Sequence, residues 1–122
     1  MDYDVSLPDG GRYILIKIFV PMTSEIGRRC GTDASRLGDE KKVNRYLFDL
    51  RDSPNIQSVA QNYDFAYSEL ADFGFSRNSL SALLVRPNDR SHDFIETAFR
   101  NAGYPVKLFT DEVSAISWIE KA

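Results

Sequence analysis

Ser79-Leu80-Ser81-Ala82-Leu83-Leu84-Val85, closed by Arg86-Pro87-Asn88-Asp89, is the stretch on which the fold turns. A short apolar run stopped by turn residues reads as a buried strand. Ser91 then opens a helix whose apolar residues Phe94, Ile95, Ala98, Phe99 and Ala102 share one face, and Gly103 ends it. After Pro105 the chain returns to strand chemistry at Val106-Lys107-Leu108-Phe109. Strand, helix and strand with short connections make a parallel crossover.

The same alternation extends in both directions. Upstream, Arg45 to Leu50 is a short buried strand ended by Arg51-Asp52-Ser53-Pro54-Asn55. The helix after it carries Ile56, Val59, Ala60, Tyr63, Ala66, Tyr67, Leu70 and Phe73 at three- and four-residue steps, with Gly74 as its stop. Before that strand, Thr23 or Ser24 caps a helix with Ile26, Cys30, Ala34 and Leu37 on one face. Gly27, Gly31 and Gly38 weaken it and predict a break or bend near Gly31. Downstream, Thr110 caps a last helix with Val113, Ile116 and Ile119 facing inward. At the start, Tyr3–Leu7 and Tyr13–Val20 flank Pro8-Asp9-Gly10-Gly11 and form a β-hairpin. The expected fold is α/β: a mostly parallel sheet of about five strands, one antiparallel N-terminal hairpin strand and four helices.

Length and composition fit a single domain over residues 1–122. The chain has 43% hydrophobic and 27% charged residues in 13.9 kDa, enough to bury a core without disulfides or metal. A net charge of −3 gives no general attraction to nucleic acid. One cysteine and one histidine argue against a structural zinc site, and no cofactor is implied. The acidic N-terminus is unlike a signal peptide, and the longest apolar run, Tyr13 to Met22, is interrupted by Lys17. No membrane span and a cytoplasmic location are therefore expected.

In such a sheet, partners meet the loops at the C-terminal strand ends. Those loops gather Asp52, Ser53, Asn55, Arg86, Asn88, Asp89 and Arg90. Such residues ordinarily cap helices and build turns, and the functional alternative is a recognition surface. Cys30 follows two arginines but lies on the apolar stripe, where a buried, inert thiol is the common outcome. His92 opens a helix near Asp89 and Asp93, and a hydrogen bond to one of these carboxylates is its default. Nothing in the spacing pairs it with Cys30, and an active-site cavity containing either residue is not expected. The glycines form no phosphate loop, and Val20-Pro21-Met22-Thr23 lacks the acidic pair of a phosphoacceptor receiver. The aromatics Tyr63, Phe65, Tyr67, Phe73 and Phe75 read as core. Phe65 lies off the stripe, and an aromatic cleft under this helix is the alternative. Trp118 lies beside the inward face of the last helix.

Several segments carry a resemblance: Val43-Asn44-Arg45-Tyr46-Leu47-Phe48-Asp49-Leu50-Arg51, Asn62-Tyr63-Asp64-Phe65-Ala66, Ser91-His92-Asp93-Phe94-Ile95-Glu96-Thr97, and Phe109-Thr110-Asp111 leading into Ala115-Ile116-Ser117-Trp118. With the order of elements, they make the whole chain resemble the SpoIIAA-like superfamily of STAS domains and SEC14/CRAL-TRIO-type relatives, in its uncharacterised bacterial branch. The resemblance implies a four-turn β-α superhelix in a cytosolic bacterial protein without demonstrated catalysis. STAS domains that act as anti-anti-sigma factors carry an Asp-Ser-Ser-Gly-type motif with a phosphorylated serine. Here the matching region reads Asn55-Ile56-Gln57-Ser58-Val59-Ala60, so Ser58 stands near that position without the acid before it or the Ser-Gly after it. Two functions follow. The first is a non-catalytic regulatory module that binds a protein partner through Arg51–Ser58 with Arg86–Arg90. The second is a carrier or sensor of a small apolar ligand or lipid, lined by Tyr63, Phe65 and Tyr67.

Overall fold

The computed structural model describes residues 2–69 and 77–121. Five strands form one sheet in chain order: β1 (Tyr3–Ser6), β2 (Ile14–Ile18), β3 (Arg45–Asp49), β4 (Leu80–Leu84) and β5 (Val106–Phe109). β1 runs antiparallel to β2, and every later pairing is parallel. The hairpin turn uses Gly10 and Gly11 at φ of 96° and 61°, a backbone that side chains rarely adopt. Helices α1 (Ser24–Lys41), α2 (Val59–Asp64), α3 (Asp93–Asn101) and α4 (Glu112–Lys121) connect or follow the parallel strands. The α/β architecture expected from the sequence is the one observed.

Strand side chains alternate between two faces. Ile14, Ile16 and Ile18 of β2, Tyr46 of β3, Leu83 of β4 and Val106 of β5 enter the larger core. α1, the segment following α2, and α3 cover it with Ile26, Cys30, Ala34, Ala66, Ile95 and Ala98. On the opposite face, Leu47, Ala82 and Leu84 are sealed by Ala115 and Ile119 of α4. Phe109 packs against Trp118 there, with ring centroids 5.5 Å apart. Val113, expected inside, is 75% exposed. Asp111 rather than Thr110 caps this helix, its carboxylate accepting from the Ser114 backbone N–H at 2.8 Å and Oγ–H at 2.7 Å.

α1 runs unbroken through Gly31, so the break the sequence offered there does not occur. Thr23 caps it by accepting from the Ile26 N–H. Its glycines are sites of close approach: a Cβ on Gly38 would lie 2.6 Å from the Val43 carbonyl and against the Tyr46 hydroxyl. The next helix also departs from expectation. It begins at Val59 rather than Ile56, because Ser58 and Gln61 form a reciprocal capping box. Asn55 is instead bridged to Met22, and Ile56 is 64% exposed. From Phe65 to Glu69 the helix is π-helical, which turns its inward face. Phe65 and Ala66 are buried, whereas Val59 and Tyr67 are exposed. The expected positions Leu70, Phe73, Gly74 and Phe75 lie outside the described residues.

Candidate functional site

A cavity lies between the sheet, α1, Phe65 and α3 on the larger face. Gly27 and Gly31 of α1 are among its lining residues, as is Ser81 of β4, which pairs with Tyr46 and Val106 in the strand register. The space is about 60 Å³, measured to the centre of a water-sized sphere. Phe48, Phe65, Phe99 and Tyr104 supply aromatic walls. Phe65 stacks on Phe99 at 6.1 Å and closes over Gly27, where a Cβ would lie 2.9 Å from its ring. Among the described residues, no Asp, Glu, Lys or Arg side chain lines the space.

Cys30 from α1 and His92 from the start of α3 both line this space. The crossover β4–α3 brings His92 back over the sheet to the same space that α1 covers. Burial pushes the Cys30 thiol up to about 12, with Asp33 adding to it, and Sγ–H points to the Gly27 carbonyl at 3.6 Å. The thiol is therefore inert, as its place on the apolar stripe implied. His92 is fully buried and makes no hydrogen bond to Asp89 or Asp93. Its Nε2 lies 2.7 Å from the Ser53 carbonyl oxygen. A carbonyl only accepts, so Nε2 carries the proton. Burial holds the imidazole pKa below its ordinary value, against smaller upward pulls from Ser53, Asp89 and Asp93. His92 Nδ1 and Ser53 Oγ are buried without a partner among the described residues.

Of the aromatic trio expected to line a cleft, only Phe65 does so. Tyr63 and Tyr67 stack on each other at 5.9 Å, and Tyr63 meets the half-exposed Phe94 edge-on. The π-helical turn places Phe65 inward and leaves Tyr67 outside.

The strand-end loops divide into an interior and a surface. Ser53 and Asn55, expected to contact partners, are buried, because the loop must follow the sheet edge and satisfy its own backbone. The Asn55 backbone N–H donates to Ser91 Oγ at 2.9 Å, its side-chain amide to Asn62 at 3.1 Å, and its Oδ1 accepts from the Gln57 N–H at 3.0 Å. Asp89 accepts from the Ser91 N–H at 2.9 Å. Asp52, Arg86, Asn88 and Arg90 remain exposed. Arg86 donates to the Asp52 carboxylate at 2.7 Å and to the Arg51 carbonyl at 2.6 Å. Arg51 grips Asp49 through two parallel bonds of 2.9 and 2.8 Å and reaches Glu112 at 3.0 Å, joining β3 to α4. Lys17, Phe19, Asp49, Arg51, Asp52 and Arg86 form a polar cleft of about 270 Å³ there.

Sequence reasoning raised a cleft at Phe65 but not its other walls, because Cys30, Ser81, His92 and Phe99 meet there only through the strand register and the crossovers. The helix start was available: Ser58 followed three residues later by Gln61 is a capping-box signature. No family model matches the chain, and no curated protein matches it. Among the described residues, no helix is long and apolar enough to cross a membrane.

Proposed function

We propose that this domain is a non-catalytic receptor for a small apolar molecule, acting as a cytoplasmic carrier or sensor. The observation that carries the reading is the aromatic-walled cavity beneath α1 and α3, free of ionised side chains among the described residues. Close packing leaves few voids larger than a water in most interiors, so a space of this size favours an occupant. The reading agrees with the lipid-binding side of the SpoIIAA-like superfamily that the sequence resembles, on a smaller scale. Burial holds Cys30 as a thiol, and no described carboxylate or lysine lines the cavity to work with His92 as an acid–base pair.

The test is a titration with toluene followed by amide NMR and thermal unfolding. At ten times its Kd, toluene should raise stability by about 1.4 kcal/mol, with shifts concentrated at Cys30, Leu83 and Ile95. Absence of saturable shifts at those positions refutes the reading.

A second reading, a docking surface for a protein partner, is supported by the polar cleft at the strand ends. Its exposed Asp52–Arg86 pair has the mixed charge of a recognition rim. Asp52→Ala should then weaken partner capture at unchanged Tm. Ser58 enters this reading only as a cap, since its Oγ is engaged by the Gln61 N–H.

A further inference from the structure

The sheet has two edges, β1 and β5, and among the described residues only that of β5 is closed. Along β5, Ser81 donates to the Pro105 carbonyl and Val85 to the Phe109 carbonyl, so Val106 and Leu108 turn their backbone groups outward. Side chains of α3 meet them. The Val106 carbonyl accepts from Arg100 Nε at 2.8 Å, and the Leu108 N–H donates to the Glu96 carboxylate at 2.6 Å. At the other edge, the Phe19 N–H donates to the Asp2 carbonyl, and Tyr3 lies opposite Ile18. The alternation of an antiparallel ladder then directs the N–H and C=O groups of Tyr3 and Val5 away from β2. Among the described residues nothing bonds to them. α1 packs on one face of β1, where the Tyr3 hydroxyl donates to Asp33, and leaves this edge open.

We propose that β1 is the pairing strand of a homodimer, joining β1 of a second copy antiparallel about a two-fold axis. Outward groups must meet outward groups, which leaves few registers. Centring the axis on Tyr3 sets Asp2 against Asp4, and centring it on Asp4 sets that carboxylate against its own copy. Like charges opposed across strands are destabilising. Centring on Ser6 runs Asp4 and Tyr3 into the turn that begins at Pro8. Centring on Val5 fits. Val5 then faces Val5 of the second copy, Tyr3 faces Leu7, and Asp4 faces Ser6, whose hydroxyl donates to the carboxylate twice by symmetry. Tyr3, Val5 and Leu7 already pack against the larger core, so the apolar layer continues across the axis. β1 contributes no residue to the cavity wall, and neither reading depends on the other.

Sedimentation equilibrium and amide exchange, both followed against protein concentration, test the pairing. The mass should rise toward twice 13.9 kDa by about 1 mM. Exchange of the Tyr3 and Val5 N–H groups should slow roughly tenfold or more in the dimer. Ser6→Asp opposes carboxylates at both Asp4 contacts and should weaken the dimer roughly fivefold or more, whereas Ser6→Lys should tighten it. A chain that stays monomeric at about 1 mM overturns the proposal. So does a dimer whose Tyr3 and Val5 amides exchange as in the monomer, or equal dimer affinities for the two Ser6 variants. If a basic peptide slows the same amides while the chain alone stays monomeric, the edge receives another protein's strand and the homodimer is refuted. Exchange in the wild-type chain decides the matter even where a variant does not fold.

Discussion

Gly38→Ala sets two physical effects against each other within one residue. Helix propensity alone favours alanine by about 1 kcal/mol in a helix interior, and Gly38 lies within α1, three residues before its last position. Packing opposes it. The added methyl would meet the Val43 carbonyl at 2.6 Å and displace the buried Tyr46 hydroxyl. That carbonyl belongs to the turn after α1, where Lys42 sits at φ 60° and its N–H returns to the Gly38 carbonyl. The backbone therefore has little freedom to withdraw. Overpacking costs roughly 1–3 kcal/mol; with the backbone held, the upper part of that range, about 2–3 kcal/mol, applies, and the propensity gain reduces it to a net loss of about 1–2 kcal/mol. For a domain of this length that corresponds to a Tm lower by about 4–8 °C. Gly27→Ala is the internal comparison. Its methyl would meet the end of the Phe65 ring at 2.9 Å, which can yield toward the cavity. This variant should lose less stability than Gly38→Ala and bind toluene more weakly. Calorimetry of the two decides. A Tm for Gly38→Ala at or above wild type, or a larger loss at Gly27, refutes the packing argument.

Three further outcomes follow from the same geometry. His92 is the one histidine of the chain, and burial holds its pKa below the ordinary 6.5. The unfolded chain then takes up a proton that the folded chain refuses, so its contribution to stability is complete above pH 6.5 and declines as pH falls below it; an imidazole titrating in the native protein at or above 6.5 contradicts this. Cys30, pushed up to about 12, should be silent toward a disulfide reagent at pH 8 and react once urea unfolds the chain; rapid labelling of the native protein would disprove its burial. Ser58→Ala should cost about 1 kcal/mol in urea unfolding while Ser58→Asp recovers most of it; equal losses would mean that the cap is not what Ser58 supplies.

The elements were legible where the sequence punctuates itself. Pro21, the Pro54 turn and the Pro87 turn each close an apolar run, and β2, β3 and β4 stand where those runs are, while Gly103 closes α3. The glycines of α1 carried a second meaning that composition hides. Helix propensity marks Gly38 as a weakness, and only the position of Tyr46 beneath it turns that into a requirement for a missing side chain. Between Pro54 and Ser58 the apolar spacing of Ile56 and Val59 imitates a helix. The backbone there pairs with Met22 instead, a long-range contact to which local periodicity is blind. The polar strand-end set was legible as a group. Its division into buried Ser53 and Asn55 and exposed Asp52 and Arg86 follows from how the loop satisfies its own N–H groups.

Chain order and strand order coincide in this sheet, and that has a bearing on how the domain is made. Each strand adds beside the one synthesised just before it, and none has to be inserted between partners already joined. A nascent chain can therefore build the sheet outward from the hairpin at the pace of translation. The exception is the face under α4. Leu47, Ala82 and Leu84 are in place as soon as β4 forms, yet their cover arrives only with residues 112–121. During that interval the growing domain carries an unshielded oily surface, the stage at which a nascent-chain chaperone has most to hold.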